Sequence, residues 1–363
     1  MRRYTNRILI GGFLAALLAP TVATVFGFDP MGELYERRAL APRPNTAAIK
    51  YGEPASVAAY TQGWENYYND HFGFRKLLIG YYRFALLRVM HLSANPGAVV
   101  GKSDGQIPWL FFDGAGAKDG LGIDAYLGKV PFAPGELAHI HANIVNLSRL
   151  FANNEQKFLV VACPDKHSIY PEYLPSALQP VSGDHSRLEQ MSKTVSEVLG
   201  ERYVDLRAPL MKAKAEHQVY WRTDTHWNAM GAFVAYTAIL QALRKQDPGR
   251  APLPMNEVKW VASGPGHGDL VGLLGVPYFP YETTLEAVLP PIDTLAGRKR
   301  GKLLILHDSF FDALKPFLEL EFQEVKAIRG IQMSSGFLLT QELLTAVKPD
   351  VVIIESVERI WTR

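Results

Sequence analysis

The chain has 363 residues, of which 48% are hydrophobic and 20% charged, with a net charge of +2 and one cysteine. This composition is typical of a globular protein and provides enough chain for one large core or two smaller ones. A nearly balanced charge excludes a global positive field, so no nucleic-acid partner is predicted. A single cysteine, Cys163, excludes an intrachain disulfide and leaves the redox compartment undetermined.

The N-terminus has the pattern of an export signal. Arg2, Arg3 and Arg7 precede an uncharged apolar run, Ile8–Phe28, which is about as long as a helix needs to cross a bilayer. No small-x-small cleavage site follows it, so residues 1–28 are predicted to be an uncleaved signal anchor rather than a cleaved signal peptide. With the arginines held in the cytoplasm, the rest of the chain is exported in either case.

The exported part divides into a tether and a domain. Residues 29–60 are rich in proline and charge at their start and are predicted to link the membrane to the domain. Residues 61–363 are predicted to form one α/β domain. Within it, residues 245–300 are dominated by proline and glycine, which predicts a loop-rich insertion such as a lid or a cleft wall.

From residue 136 onwards, helical and strand-like apolar patterns alternate. Helices are predicted over Glu136–Asn153, Leu188–Val198, Asn228–Leu243, Phe310–Phe322 and Leu338–Val347. Strands are predicted over Lys157–Cys163, Arg202–Leu206, Lys302–Leu306, Glu324–Ile328 and Asp350–Glu355. This alternation predicts βαβ units and a mainly parallel central sheet.

Ser309 lies in the segment LLILHDSF, between the predicted strand Lys302–Leu306 and the predicted helix Phe310–Phe322. A serine in that position exposes its hydroxyl at the carboxyl edge of the sheet, where the free N–H groups of a helix start favour a developing oxyanion. The alternative for Ser309 or Asp308 is simple capping of the helix.

Asp224 and His226 stand two residues apart in the segment YWRTDTHWN. In extended chain such residues face the same side, so the carboxylate can orient the imidazole and stabilise its protonated form. Together with Ser309 they supply a nucleophile, a base and an orienting acid. No Gly-x-Ser-x-Gly, Cys-x-x-Cys or His-Glu-x-x-His motif occurs, and no metal or cofactor is predicted.

The two motifs Asp-Thr-His-Trp and Asp-Ser-Phe, in this order, resemble the circularly permuted SGNH arrangement of the polysaccharide O-acetyltransferases of the AlgJ/AlgX family. Further similar segments are Glu65–Arg75, Lys102–Phe112, Pro164–Pro175, Gly268–Leu270 and Val357–Arg359. The resemblance spans roughly residues 60 to 363 and implies an SGNH-hydrolase-like three-layer fold. The sequence departs from the family pattern at Gln106 and Pro108 and at His307, where the family usually has glycine. No carbohydrate-binding module is expected after the last predicted strand, and with its predicted N-terminal anchor the chain resembles AlgJ more than AlgX.

The resemblance implies an acetyltransferase anchored to the inner membrane and working in the periplasm. His226 would deprotonate Ser309, which would carry the acetyl group from a membrane-bound acyltransferase to a polysaccharide hydroxyl. Arg329 is the predicted second oxyanion donor or a substrate-binding residue, and Lys166 and Tyr170 are predicted to reach the same cleft. Their alternative roles are structural.

Two other functions remain compatible with the sequence. The same triad could act as a carbohydrate acetylesterase, since the two enzymes differ only in whether water or sugar reaches the acyl-enzyme. The chain could also be a non-catalytic subunit of a polysaccharide export complex.

Overall fold

The computed structural model describes residues 2–28, 39–87, 97–114, 122–178, 186–276, 278–291, 295, 297–330 and 339–361. The chain forms two compact units. The first comprises residues 1–95 with 272–279, and the second comprises residues 96–271 with 280–363. The first unit therefore includes residues 61–95, which the sequence analysis assigned to the α/β domain, because these residues form helices that pack within that unit. The domain bounds drawn from the sequence stay a prediction.

The described part of the first unit contains the α-helices α1 (Arg2–Val25), α2 (Pro54–His71) and α3 (Arg75–Ala85). Residues Asn6–Val25 of α1 form one exposed apolar span with a mean hydropathy of 2.2. The span is long and apolar enough to cross a membrane, and a signal sequence near the N-terminus has the same length and composition. The corner between α2 and α3 packs on the end of α1, where the Gly73 N–H donates to Thr24 Oγ1 at 2.6 Å. Residues 29–38 of the predicted tether lie outside the described residues.

The remaining helices are α4 (Ile123–Tyr126), α5 (Pro134–Asn153), α6 (Lys166–Ile169), α7 (Arg187–Leu199), α8 (Arg207–Ala213), α9 (Ala229–Arg244), α10 (Asp269–Leu274), α11 (Phe311–Leu318), α12 (Gln341–Val347) and α13 (Glu358–Trp361). The strands are β1 (Ala98–Val100), β2 (Leu110–Phe112), β3 (Lys157–Cys163), β4 (Tyr203–Asp205), β5 (Lys259–Ala262), β6 (Leu285–Val288), β7 (Lys302–His307), β8 (Glu324–Arg329) and β9 (Val351–Val357). All five predicted strands are present, with ends that differ by at most two residues.

The central sheet has five parallel strands in the order β4-β3-β9-β7-β8. The middle strand, β9, is buried along its whole length, as expected for a parallel sheet covered on both faces. Alternate strand residues pack on α5, α7 and α12 on one face and on α8, α9 and α11 on the other. The second unit is thus the three-layer α/β domain with a mainly parallel sheet that was predicted.

Residues 245–300 are less irregular than predicted. They contain the two-stranded antiparallel sheet β5–β6 and the helix α10, and residues 272–279 of this stretch belong to the first unit. Apolar periodicity could not reveal β5 and β6, because their residues are mostly exposed or only half-buried.

Candidate active site

The predicted nucleophile and base lie at the carboxyl edge of the central sheet, where open α/β folds place their sites. Ser309 stands two residues after β7 and two residues before α11. Asp224 and His226 lie in the turn before α9, whose N-cap Asn228 accepts a hydrogen bond from the Gly231 N–H at 3.0 Å. The parallel sheet and the capped helix thus bring together His226 and Ser309, which are 83 residues apart along the chain.

The three side chains form a continuous hydrogen-bonded relay. His226 Nε2 lies 2.7 Å from Ser309 Oγ, and His226 Nδ1 lies 2.6 Å from Asp224 Oδ1. Burial works to raise the pKa of Asp224, but hydrogen bonds and charge from His226 and the Asp269 N–H lower it to about 2. The acid is therefore ionised near neutral pH, and the side chains of His226 and Asp224 remain 26% and 22% exposed. The arrangement can accept the serine proton and is open to a reactant.

The hydroxyl of Ser309 does not cap the following helix. Asp308 Oδ1 accepts from the Phe310 N–H at 2.9 Å, and the N-cap residue Phe310 makes no side-chain cap bond. The structure therefore leaves the hydroxyl to His226. Trp227 holds the two segments together, since its indole N–H donates to the Phe310 carbonyl at 3.0 Å.

Residues 268–269 support the acid. The Asp269 N–H donates to Asp224 Oδ2 at 3.0 Å, and the Asp269 carboxylate accepts from the backbone and hydroxyl of Thr225 at 2.8 and 2.7 Å. A Cβ on Gly268 would stand 2.3 Å from the Cβ of Asp224. Only glycine therefore allows the two backbones to approach this closely.

Glu282 supports the same turn from the loop-rich segment. Its buried carboxylate accepts from the Arg222 N–H at 2.9 Å and the Thr223 N–H at 2.7 Å. Each bond to a carboxylate is stronger than one to a neutral acceptor, so the chain entering Asp224 is firmly held. Asp269 and Glu282 were not among the candidates from sequence, although Gly268–Leu270 was noted as a similar segment.

Lys166 lies beneath the turn rather than in an open cleft. Its side chain is buried, and Nζ donates to the carbonyls of Trp221, Arg222 and Asp224 at 2.8, 2.9 and 2.6 Å. Burial lowers the pKa of Lys166 to about 7, but only the ammonium form can satisfy all three carbonyls. The geometry gives Lys166 a positioning role in place of the predicted substrate contact.

Tyr170 is also internal. Its ring is buried and stacks on Trp109 with centroids 4.2 Å apart, and its hydroxyl accepts from the Val219 N–H at 3.0 Å. The predicted substrate contact does not agree with this placement. Both residues follow β3 closely, but their position along the chain could not indicate which way the side chains turn.

We expect Lys166→Met to destabilise the domain and to disturb the acid. Three buried carbonyls would lose their donor, at a cost of about 3 kcal/mol or more. Thermal unfolding should show a clearly lower Tm, and loading of Ser309 by an activated acetyl ester should slow. Lys212→Met, on the exposed surface of α8, is the matched control and should change neither. A Lys166→Met variant as stable as the wild type would exclude the positioning role.

Arg329 is the last residue of the edge strand β8, not a loop residue, and its side chain is exposed. The register pairs it with His307, two residues before Ser309. The structure thus places Arg329 at the correct edge of the sheet but not in the relay. Its role as oxyanion donor or substrate contact stays a prediction.

His307, the departure from the family pattern, fits into the interior. Its Nδ1 donates to the Asp308 carbonyl at 2.7 Å, and its ring packs on Phe311 with centroids 4.3 Å apart. Below it, Asp308 Oδ2 accepts from the Val357 N–H, and Glu355 accepts from the Asp308 N–H at 3.3 Å. Burial raises the pKa of Asp308 and, still more, that of Glu355. The turn that contains Asp308 and Ser309 is therefore held by hydrogen bonds to the central strand, β9.

Among the described residues, two groups bring carboxylate and imidazole ligand atoms within 4.8 Å of one another. They are Asp224, His226 and Asp269, and Asp165, His167 and Glu358. In the first group both nitrogens of His226 are engaged with Asp224 and Ser309. In the second, Arg359 pairs with Asp165, and Ser168 and the Asp165 N–H donate to Glu358. Both sets fit hydrogen-bond networks better than metal coordination.

The fold and this constellation define a domain of the SGNH-hydrolase-like class. The family described as "SGNH hydrolase-like domain, acetyltransferase AlgX" matches residues 98–305, more than half of the chain, including Asp224 and His226 but ending before Ser309. The chain belongs to this family, which confirms the resemblance found in the sequence.

Relatives and a solved structure carry related names. "Probable alginate O-acetylase AlgJ" of Azotobacter vinelandii is 26% identical over 298 residues, 82% of this chain and 66% of the relative. The protein of the same name from Pseudomonas syringae pv. tomato is 26% identical over 243 residues, 66% of this chain and 55% of the relative. This chain thus spans less than two thirds of either relative's length. The O-acetyltransferase domain of Pseudomonas putida AlgJ overlays on 74% of this chain and 92% of its own, with a TM-score of 0.49 and 22% identity.

Proposed function

We propose that this chain is an O-acetyltransferase that moves acetyl groups onto hydroxyls of an exported polysaccharide, through a covalent acetyl-Ser309 intermediate. The observation that carries the proposal is the unbroken relay from Asp224 through His226 to Ser309, partly exposed at the carboxyl edge of the sheet. Acetylation as the reaction and an alginate-like polymer as the acceptor are supported by the family and by the relatives' names.

The proposed reaction has two balanced half-reactions. In the first, His226 Nε2 accepts the Ser309 proton while Oγ attacks the acetyl carbonyl, and the proton then passes to the donor's leaving group. In the second, a sugar hydroxyl gives its proton to His226 and attacks the acetyl carbon. The bond from Ser309 Oγ to the acetyl group breaks, and Oγ recovers the proton. Asp224 stabilises the imidazolium in both steps.

The decisive test compares the two fates of the acetyl-enzyme. The purified domain is loaded with 4-nitrophenyl acetate, and acetyl transfer to an oligomannuronate or a cello-oligosaccharide is measured against release of acetate. We expect transfer to exceed hydrolysis when the right oligosaccharide is present. Acetate release unaffected by any acceptor would favour the acetylesterase alternative, and no loading of Ser309 at all would favour a non-catalytic export subunit.

We further propose that α1 anchors the protein to the inner membrane, with the second unit in the periplasm and a membrane-bound acyltransferase as the acetyl donor. The support is the apolar span Asn6–Val25 and the three arginines, Arg2, Arg3 and Arg7, at the N-terminal end of α1. Fractionation of cells, with sequencing of the mature N-terminus, should recover the full-length chain with the membranes. A soluble protein beginning near residue 28 would show instead that the segment is a cleaved signal.

A further inference from the structure

We propose that His267 and Tyr281 form a stacking platform for one pyranose ring of the acceptor polysaccharide, beside the acid end of the triad. The proposal rests on the proposed function and adds to it a second sugar-binding position away from Ser309. We call this pair the ring platform.

The ring platform is a flat aromatic surface open to solvent. The two rings are stacked, with centroids 4.2 Å apart and planes inclined by 9°. Tyr281 nevertheless stays 64% exposed and His267 is exposed as well, so the stacked pair is open to solvent. A pyranose ring carries C–H bonds on one face that are drained of electron density by the neighbouring oxygens. Such a face packs well on the electron-rich face of an aromatic ring.

The backbone around the ring platform is fixed. Gly266 and Glu282, the neighbours of the two ring residues, exchange two backbone hydrogen bonds of 3.0 Å each. Further along, the Ser263 N–H donates to the Thr284 carbonyl at 2.7 Å. Little backbone freedom remains to be lost when a ligand binds, which favours affinity from a small contact area.

The ring platform is joined directly to residues 222–224, the turn that contains Asp224. Gly268, next to His267, is in contact with Asp224, and the carboxylate of Glu282, next to Tyr281, holds the N–H groups of residues 222 and 223. Ser309 lies at the opposite end of the relay, beyond the His226 ring. A sugar stacked on Tyr281 is therefore a flanking unit of the polymer, and another unit presents its hydroxyl to the acetyl group.

The first experiment measures binding without turnover. In the full-length chain carrying Ser309→Ala, the Kd of hexameric oligomannuronate and of cellohexaose is measured by titration calorimetry. Adding Tyr281→Ala should raise the Kd of the bound hexamer about tenfold, as expected for loss of one aromatic contact. Tyr281→Phe, which keeps the ring, should retain the affinity. Tyr82→Ala, which removes a tyrosine that is 63% exposed on α3, is the matched control and should also retain it.

The second experiment separates binding from positioning of the triad. In the enzyme with Ser309 intact, Tyr281→Ala should raise the KM for the hexamer and leave kcat and the KM for a single sugar acceptor near wild type. Equal loss for the hexamer and the single sugar, or slower loading of Ser309 by 4-nitrophenyl acetate, would overturn the proposal, because the effect would then pass through Asp224. Unchanged hexamer binding would overturn it as well. Failure of the wild type to transfer acetyl to any sugar, with hexamer binding still dependent on Tyr281, would instead count against the proposed reaction alone.

Discussion

Replacing Ser309 by alanine is expected to abolish acetyl loading and acetyl transfer while leaving the domain folded. The hydroxyl makes its hydrogen bond with His226 and does not cap α11, so its loss removes the nucleophile and only one partly exposed hydrogen bond. Tm should therefore change little, by the equivalent of about 1 kcal/mol. Intact-mass spectrometry after incubation with 4-nitrophenyl acetate should show one added acetyl group on the wild type and none on the variant.

Ser186→Ala offers a matched control with the opposite result. Ser186 is the N-cap of α7, where its hydroxyl accepts from the Glu189 N–H at 3.2 Å within a capping box. Its loss should lower stability by about 0.5–2 kcal/mol and leave acetyl loading unchanged. If Ser309→Ala behaves like Ser186→Ala, with a lower Tm and retained acetyl transfer, the nucleophile has been assigned wrongly.

Asp224→Asn is expected to cut turnover by up to about 10⁴-fold, the loss that the equivalent change causes in a serine protease. Asp224 Oδ1 accepts from both the N–H and Nδ1 of His226, while Oδ2 accepts from the Asp269 N–H. An asparagine has one acceptor oxygen, so its amide nitrogen must face either the imidazole or the Asp269 N–H. The imidazole then takes the wrong tautomer, or the turn loses its bond to Asp269.

The rate of acetyl loading, measured by stopped-flow with 4-nitrophenyl acetate, tests this expectation. Asp312→Asn, an exposed acid in the first turn of α11, is the control and should load at the wild-type rate. Near-normal loading in Asp224→Asn would remove Asp224 from the relay, even if Ser309 and His226 kept their roles.

The same substitution should also change how stability depends on pH. The pKa of Asp224 lies below its ordinary value of 3.8, at about 2. Its stabilising contribution, about 2 kcal/mol, is therefore complete above about pH 5 and is lost as the pH falls towards 2. Urea unfolding at a series of pH values should show the wild type and Asp224→Asn converging in that acid range. A difference in stability that widens there would contradict the assigned ionisation.

Much of the fold could be read from local patterns. The run Lys157–Cys163 and the segment Lys302–Leu306 were recognisable because a strand buried on both faces is apolar at every position. The cap at Asn228 was recognisable because a capping side chain bonds to the backbone only a few residues away. Interactions within one segment depend only on the residues of that segment, so the local sequence pattern predicts them.

The supports of the site could not be read in this way. Lys166 binds the triad turn across a separation of 55 to 58 residues, and Glu282 across 59 or 60. Glutamate and lysine are usually exposed, so neither residue type indicated a buried, multiply bonded side chain. The sequence could therefore place Lys166 near the site but could not show that its side chain is buried beneath the turn.

The sequence alone identified the candidate reactive residues, and which strands and helices precede them, since an element's end depends on nearby residues. The tertiary structure decided the rest: that β7 lies in the sheet beside β9, that Ser309 meets His226, and that Tyr281 stands next to the turn of Asp224. These contacts join segments that are far apart along the chain. Neither apolar periodicity nor helix capping, which are local patterns, can predict such contacts. Only the packing of both sheet faces and the burial of paired polar groups bring them together.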